Sequence, residues 1–492
     1  MPSHPRASAP VLKRIARAAR GCSSTLREDL VCYAYDATDI HSLPDIVVWP
    51  ESTGDVAAVV GVAHGAGVPL VARGAGTGYT GGSVPIAGGV VLSFERMNRV
   101  LDIDTDEAVA VVEPGIVNED LRARAMERGL TFPPDPASLK MSTVGGNVAE
   151  GAAGPRTVLY GRTGDYVIGL EFVLADGHVV ATGYLADERA DAWDPAQLVV
   201  GSEGTLAIVT KAAVRLTEIP ELTVTCWAEF PSLAAAARAV AAITAAGVPV
   251  SVLEIIDRDT LACSLEYVRG ERPENPPAGA LLIELEGSAA DVRRGVDAVG
   301  GLLDGGEAGA VRWAEDQRER DELWEVRRSI SASLARLSTG KINEDITVPR
   351  SRIPDYVERL RGISEQFGLP ILTFGHAGDG NLHVNIIVDR GDRDQMTRAR
   401  RAVTELFDAA LSMGGTLSGE HGIGITKAEH LSRELDAPAL DVTRAVKRAL
   451  DPDGVLNPDK VMSDRPNPWW RDLDDDTGAD GGGSPGNQES RC

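Results

Sequence analysis

Cysteine is scarce in this sequence and gives no framework of paired thiols. The chain of 492 residues has five cysteines, an odd number, at Cys22, Cys32, Cys226, Cys263 and Cys492. None belongs to a Cys-x-x-Cys pair, which disfavours a disulfide scaffold, a zinc knuckle and an iron–sulfur cluster. Reduced thiols are typical of the cytoplasm, and we expect a cytoplasmic location, with peripheral attachment to a membrane left open.

Long apolar runs and positive charge are also lacking. No apolar run of about 18 residues occurs, so no membrane span is expected. The 49 basic residues are outnumbered by 73 acidic ones, giving a net charge of −24 that argues against nucleic-acid binding. The same field repels small anions, so an enzyme for a carboxylate must concentrate positive charge locally, from Arg, Lys or a metal.

The two ends of the chain differ in composition from its middle. Residues 11–20 are basic with a helical pattern, and an ordinary N-terminal helix is favoured over a transit peptide or a membrane-surface helix. From about residue 463 the chain is rich in Pro, Asp, Gly and Ser, which is typical of a disordered tail.

Between these ends, two regions with different periodicity can be recognised. From about 45 to 217, strand-like and helix-like segments alternate, which predicts an α/β layer structure. From about 220 to 445, a strand–helix–strand pattern occurs twice and is followed by a third pass. Two βαβ units joined in this way predict a ferredoxin-like antiparallel sheet with helices on one face.

A glycine-rich loop follows the strand that ends near Ala72. Five of the nine residues 74–82 are glycine. Glycines allow positive φ and close approach of the backbone, and inward-pointing N–H groups suit a pyrophosphate. The loop does not fit the Rossmann placement well, so nicotinamide cofactors are not the first expectation.

Two further blocks accompany this loop, at residues 132–149 and 201–210. Together the three blocks resemble those of the vanillyl-alcohol-oxidase and p-cresol-methylhydroxylase superfamily, in which they wrap FAD. The resemblance implies FAD contacts at Arg73, Gly74, Ala75, Gly76, Thr77, Gly78, Gly81, Gly82, Pro134, Asp135, Thr143, Gly145, Gly146, Asn147, Ala149, Gly204 and Ile208. Tyr79 stands where some relatives carry a flavin-tethering His, so non-covalent FAD is expected.

A second constellation lies near the C-terminus. His376 and His383 flank a turn rich in Gly, Asp and Asn, and Glu420 follows in a Ser-Gly-Glu-His-Gly segment. Two imidazoles and a carboxylate are a suitable set for a divalent metal with open positions. Alternation along the second strand places His383 and Asn385 on the same face.

These segments closely resemble the FAD-linked D-lactate and glycolate dehydrogenases and the D-2-hydroxyglutarate dehydrogenases. The resemblance covers roughly residues 40–462. It implies that His376, His383 and Glu420 bind a metal, usually zinc, and that His421 is the active-site base. It also implies that Arg327, in a Trp-x-x-Arg segment, receives the substrate carboxylate and that Asn457 contacts the flavin. Asn385 is a weaker candidate for a substrate hydrogen bond.

The resemblance implies an α+β fold with a two-part FAD-binding domain of the p-cresol-methylhydroxylase type and a ferredoxin-like substrate (cap) domain. We expect an N-terminal helical segment at 1–40, the FAD-binding domain at 41–219 and the cap domain with the metal site at 220–445. A return to the FAD domain at 446–462 and the tail at 463–492 complete the chain.

The implied reaction is oxidation of a small D-2-hydroxy acid, with D-lactate as the first expectation. The metal would bind the 2-hydroxyl, His421 would take its proton and the C2 hydride would pass to flavin N5. Glycolate, D-2-hydroxyglutarate and a flavoprotein subunit of a larger complex stay open as alternatives. A sugar-lactone oxidase is disfavoured because the His/His/Glu set would have no task. The electron acceptor lies outside the chain, with quinone, cytochrome, electron-transfer flavoprotein and oxygen all open.

Overall fold

The computed structural model describes residues 6–186, 193–463, 465, 467–470 and 473. The N-terminal half contains α1 (Ala9–Ala18), β1 (Ser23–Ser24), α2 (Arg27–Cys32), β2 (Ile46–Val48), α3 (Thr53–His64), β3 (Leu70–Arg73), β4 (Val90–Ser93), β5 (Val100–Asp104), β6 (Val109–Val112), α4 (Asn118–Met126), β7 (Leu130–Thr131), α5 (Val144–Glu150), α6 (Thr157–Tyr160), α7 (Thr163–Tyr166), β8 (Val167–Val173), β9 (Val179–Ala181), α8 (Ala196–Val199), β10 (Ile208–Arg215) and β11 (Thr217–Glu218).

The C-terminal half contains β12 (Leu222–Phe230), α9 (Leu233–Ala245), β13 (Val252–Asp257), α10 (Arg258–Arg269), β14 (Gly279–Gly287), α11 (Ala289–Asp304), β15 (Val311–Trp313), α12 (Gln317–Arg328), α13 (Ile330–Leu334), β16 (Gly340–Thr347), α14 (Ile353–Phe367), β17 (Ile371–His376), β18 (Asn381–Val388), α15 (Arg393–Ser412), α16 (Leu431–Glu434) and α17 (Ala437–Leu450). Short 3₁₀ helices lie at Phe94–Arg96, Gly183–Leu185, Arg350–Arg352, Ala428–His430 and Pro468–Trp470. This mixture of helix and sheet confirms the predicted α+β class.

The first lobe of the N-terminal half is a small sheet in the order β1-β2-β4-β3, and β2, β4 and β3 run parallel. The side chain of Ser52 accepts a hydrogen bond from the Asp55 backbone N–H and caps α3, as its sequence predicts. The basic helix α1 buries Ile15 in the same core as α3. Among the described residues, no helix is both long and apolar enough for a membrane crossing.

The second lobe is an antiparallel sheet in the order β5-β6-β10-β8-β9, with α4 and α5 packed in its core. Strand β3 of the first lobe ends at Arg73 and leads into the glycine-rich loop. Far along the chain, Leu456 pairs with Leu70 at the edge of the first sheet, so the segment after α17 lies against the first lobe. The glycine-rich loop therefore lies where the two lobes and the returning chain meet.

The C-terminal half is built on a seven-stranded antiparallel sheet in the order β15-β12-β14-β13-β17-β18-β16. Its first four strands have the order that two βαβ units produce, as the repeat predicts. The expectation of helices on one face is wrong, because α9, α11, α14 and α15 cover one face while α10, α12 and α13 cover the other. The apolar runs of β13 and β14 explain the difference, since both faces of these strands are buried.

Part of the segment predicted as a disordered tail is ordered. Within residues 467–470, Trp470 is 1% exposed and lies in the core of the C-terminal half. The side-chain amide of Asn467 donates to the Thr426 carbonyl, and the Trp469 indole donates to the Thr38 carbonyl. The two adjacent tryptophans explain the ordering, because their burial offsets the chain entropy. Residues 474–492 of the predicted tail lie outside the described residues.

Arg156 links the two halves through three carboxylates. Its guanidinium lies 2.5 Å from Asp135 of the N-terminal half and pairs with Glu284 and Glu286 on β14. Glu284 also accepts from the indole N–H of Trp324, whose ring centroid lies 5.6 Å from the Arg156 guanidinium carbon. The positive charge of Arg156, which belongs to the N-terminal half, is thus neutralised in part by carboxylates of the C-terminal half.

Replacing Arg156 with alanine is expected to lower the free energy of unfolding by about 3–5 kcal/mol, because buried carboxylates lose their counter-ion. Urea unfolding measures this. Arg238→Ala is the matched control, since Arg238 pairs with Glu307 on the surface and such pairs contribute about 0–1 kcal/mol. Equal losses of unfolding free energy in the two variants would contradict a larger contribution from the Arg156 network.

Candidate active site

A cavity lies between the two lobes of the N-terminal half, lined by residues of both. The glycine-rich loop enters it from β3, with positive φ at Gly76 and Gly81. Of the residues that the sequence assigns to cofactor binding, the cavity lining includes Arg73, Gly74, Thr143, Gly145, Gly146, Ala149 and Gly204. Ala75, Gly76, Thr77, Gly78, Gly81 and Gly82 lie elsewhere in the loop.

The backbone around this cavity is packed as close-approach glycines require. A Cβ at Gly74 would overlap the Thr143 hydroxyl, and a Cβ at Gly145 would overlap Pro114. Thr143 itself accepts from the Gly146 N–H at 3.2 Å and caps α5. The buried side-chain amide nitrogen of Asn147 has no hydrogen-bond acceptor among the described residues. A slot with glycine backbone at several points of its wall allows the close approach that a flavin cofactor needs.

Asn457 does not line the cavity but joins two of the segments that form it. Its side-chain amide donates to the carbonyls of Gly82 at 2.8 Å and Glu203 at 2.7 Å. It therefore joins the glycine-rich loop to the block around Gly204. Its φ of +41° is rare for a residue with a side chain, and Asn is among the residues that tolerate it.

Three other predicted cofactor residues have roles in packing and ion pairing. The Asp135 carboxylate is held by Arg156. The Ile208 side chain lies in the core of the first lobe, and the Pro134 carbonyl accepts from Asn118 at 3.3 Å. For these three residues, cofactor contact stays a prediction.

The structure brings His376, His383 and Glu420 together at the β17–β18 hairpin. The Nε2 atoms of the two histidines are 3.4 Å apart, and they lie 3.1 and 3.3 Å from Glu420 Oε1. Ligands on a tetrahedral metal at the usual bond lengths are about 3.3–3.6 Å apart. The side chains of His376 and His383 are only 3% and 6% exposed, so three convergent donors are held away from solvent, and the set fits a divalent metal.

Asp345 fixes the segment that carries Glu420 and His421. One carboxylate oxygen accepts from the backbone N–H groups of Gly419, Glu420 and His421 at 2.8–2.9 Å and from Ser418 Oγ at 3.0 Å. Burial raises the pKa of Asp345, but nearby positive charge and these donors lower it well below its usual value. The segment is thus folded around a permanent anion.

Glu254 joins the metal-ligand cluster to the predicted substrate arginine. One of its oxygens contacts His376 Nδ1 and the other accepts from Arg327 Nε. Burial raises the pKa of Glu254, but the charges of Arg327 and His376 lower it to about 2. A carboxylate behind a ligand histidine fixes its tautomer and ring orientation.

Arg327 lies where it can reach the cluster. Its guanidinium carbon is 4.8 Å from the Phe374 ring centroid, and that ring is 5.0 Å from the His383 ring. Its Nη2 is buried and has no hydrogen-bond acceptor among the described residues. The Nε–H group of Arg327 is thus committed to Glu254, and Nη2 is left as a donor for a ligand.

The other predicted residues of the site have different surroundings. The His421 ring stacks at 5.1 Å on His383 and lies 5.0 Å from Tyr79, and burial lowers its pKa to about 4. Asn385 is fully buried. Its side-chain oxygen accepts a hydrogen bond from the Asn343 side-chain amide at 2.8 Å, and its own side-chain amide donates to main-chain carbonyls. A role for Asn385 in contacting substrate stays a prediction.

Two comparisons with known proteins decide the family. The family model for "FAD binding domain" matches residues 44–183, and the model for "FAD linked oxidases, C-terminal domain" matches residues 219–461. The "Glycolate oxidase subunit GlcD" of Bacillus subtilis is 41% identical over 432 residues, which cover 88% of this chain and 92% of that protein. The chain belongs to the FAD-linked oxidase family.

Other relatives of this FAD-linked oxidase agree. The "D-lactate dehydrogenase" of Archaeoglobus fulgidus is 34% identical and covers 85% of this chain and 91% of its own. The solved structure of p-cresol methylhydroxylase with substrate bound has a TM-score of 0.77 at 16% identity, over 93% of this chain and 98% of that one. These findings confirm the predicted fold type, the FAD-binding domain and the oxidoreductase class.

The residues that sequence reasoning missed in this FAD-linked oxidase are Glu254, Asp345 and Lys341. Glu254 is an acidic residue between the apolar residues of β13, and that contrast is the signal that could have singled it out. Asp345 lies in β16, which is rich in polar residues and gives no such signal. Lys341 lies with its Nζ 5.5 Å from the centroid of the Tyr79 ring, and the Tyr79 ring in turn packs against His421. Its position depends on contacts between distant segments, which the sequence does not display.

Proposed function

We propose that this FAD-linked oxidase dehydrogenates a D-2-hydroxy acid, with oxidation of D-lactate to pyruvate as the first candidate reaction. One observation carries the proposal. In the glycine-rich loop, the Thr80 hydroxyl donates to the His421 carbonyl at 3.0 Å and the Thr80 carbonyl accepts from the Ile425 N–H at 2.7 Å. The flavin loop and the segment with the metal-ligand set are therefore in direct contact, as removal of a hydroxyl proton and a neighbouring hydride requires.

His376, His383 and Glu420 would hold the metal, for which we propose zinc. A metal bound there supplies a Lewis acid that polarises a substrate hydroxyl. Glu254 keeps His376 oriented toward the other two ligands, and Asp345 holds the backbone of Glu420. His421 lies beside this set and would take the hydroxyl proton as general base.

Arg327 would bind the substrate carboxylate. A guanidinium offers paired N–H donors in the geometry of a carboxylate, and Nη2 of Arg327 is buried with no acceptor among the described residues. The link through Glu254 to His376 fixes this donor relative to the metal ligands. The acid would therefore be held at its carboxylate while its hydroxyl faces the cluster.

Arg327→Lys is expected to raise KM for the hydroxy acid by about 10–100-fold, because an ammonium cannot replace the planar fork and one charge-assisted hydrogen bond contributes about 1.5–3 kcal/mol. Steady-state kinetics with a dye acceptor measures this. Arg328→Lys is the matched control, since the neighbouring arginine is exposed and stacks on Trp324 at 5.1 Å. An unchanged KM in Arg327→Lys would contradict the binding of the substrate carboxylate by Arg327.

The cavity between the lobes would hold FAD, which when bound supplies the hydride acceptor. We propose that the FAD is not covalently attached, because Tyr79 occupies the position of the tethering histidine and its ring packs on His421. The reduced flavin would pass its electrons to an acceptor outside the chain, and we propose a cytoplasmic location for the protein.

Glycolate is the second candidate substrate. It is supported by the 41% identical relative named "Glycolate oxidase subunit GlcD", whose name also suggests assembly into a larger complex. Both substrates present a carboxylate and an adjacent hydroxyl, so the roles of Arg327 and His421 would be the same.

The deciding experiment is anaerobic addition of single acids to purified FAD-loaded protein while the visible flavin absorption is recorded. D-Lactate, L-lactate, glycolate and D-2-hydroxyglutarate form the panel. We expect D-lactate to bleach the flavin and L-lactate to leave it oxidised. Bleaching by glycolate alone would select the second candidate, and no bleaching by any of the four would contradict hydroxy-acid dehydrogenation.

A further inference from the structure

A second cavity lies away from the flavin slot and the metal-ligand cluster. Its volume is about 650 Å³, within the range of about 300–1,000 Å³ typical of small-molecule sites. Arg390 and Met396 line it from the C-terminal half, Ile40 and Ile86 from the N-terminal half, and Trp469 from the ordered part of the tail. Three distant parts of the chain thus enclose one space.

Arg390 is the group in this cavity that the fold leaves unsatisfied. Its Nε and Nη2 atoms are buried, and neither donates to an acceptor among the described residues. The nearest carboxylate oxygen is that of Asp39, 3.7 Å from Nη2 and beyond hydrogen-bond length. The guanidinium carbon lies 5.5 Å from the Trp469 ring centroid. Buried N–H groups of a cation without acceptors are costly, so their persistence points to a ligand that accepts from them.

The two unsatisfied atoms define the chemistry of that ligand. Nε and Nη2 point from the same edge of a guanidinium, and this pair of donors matches two oxygens of a carboxylate or a phosphate. The apolar side chains of Ile40, Ile86 and Met396 line the same space and suit a short carbon body. Among the described residues, the lining includes two arginines, Arg390 and Arg393, and one carboxylate, Asp39. In a chain with a net charge of −24, the cavity is thus a local exception to a field that repels anions.

We propose that this cavity is a binding site for a small organic anion, held by the Nε and Nη2 donors of Arg390 and covered by Trp469. The site is separate from the proposed reaction centre and does not depend on the proposed reaction. Carboxylate and phosphate metabolites share the required oxyanion, and their relative affinity distinguishes the two sources.

The test is isothermal titration calorimetry on the FAD-loaded protein with two probes, propanoate and inorganic phosphate. We expect at least one probe to bind, and its affinity to fall by about tenfold or more in Arg390→Gln. Ser42→Trp, which fills the cavity from its rim and keeps Arg390, is expected to lose the same binding. Arg359→Gln is the control, since Arg359 is exposed and pairs with Glu405 on the surface.

Each outcome bears on the proposal. Tighter binding of propanoate would assign a carboxylate ligand, and tighter binding of phosphate would assign a phosphate ligand. Binding that is equal in the wild type, Arg390→Gln and Ser42→Trp would overturn the site, and so would the absence of binding of either probe to the wild type.

Discussion

His421→Ala is expected to slow flavin reduction by the hydroxy acid on the order of 10²-fold or more, with FAD and metal content unchanged. The position of the His421 side chain supports this expectation. The His421 ring stacks on His383, a proposed metal ligand, and lies against Tyr79 of the flavin loop. Its Nδ1 is buried and has no hydrogen-bond partner among the described residues, so the imidazole is not already committed to the fold.

Rapid-mixing spectroscopy under anaerobic conditions measures this effect directly. His178→Ala is the control, because His178 is exposed and pairs with Asp176 on the surface. The main-chain groups of His421 remain in the variant, so its hydrogen bonds to Asp345 and Thr80 are retained and the segment should keep its shape. A near-normal rate in His421→Ala would exclude it as the general base.

His376→Ala is expected to abolish both metal binding and turnover. The substitution removes one of three convergent donors, and a divalent metal would be left with two protein ligands. It also leaves the buried Glu254 without one of its two partners. We therefore expect loss of most of the bound metal and a fall in turnover on the order of 10²-fold or more.

Metal analysis of the purified variant, together with its flavin spectrum, separates this from misfolding. FAD content should stay near one per chain, because the flavin slot is formed by the N-terminal half. Full metal content together with full turnover in His376→Ala would mean that the cluster is not a metal site.

The parts of the molecule that local pattern controls could be predicted from the sequence. The Ser52 cap, the glycine-rich loop and the β17–β18 hairpin with its two histidines follow from short-range rules. Two of the three proposed metal ligands flank one turn, and the third lies in a Ser-Gly-Glu-His-Gly segment, and the resemblance of these segments to the FAD-linked hydroxy-acid dehydrogenases assigns all three.

The supporting residues could not be predicted, because their roles depend on pairing between distant strands. Glu254 faces His376 only because β13 pairs with β17, 122 residues apart at this point. Asp345 reaches the Glu420 segment only because β16 pairs with β18 and lies at the edge of the sheet. The composition of residues 463–492 predicts disorder, but it does not show that Trp470 packs in the core of the C-terminal half.

The central claim is that the flavin slot and the metal-ligand cluster act together on one hydroxy acid. The most direct test is the rate of anaerobic flavin reduction by D-lactate in zinc-loaded protein, in chelator-treated protein that retains FAD, and after zinc is restored. We expect reduction to slow on the order of 10²-fold or more without metal and to recover when zinc is added back. Equal rates in all three samples would contradict the account.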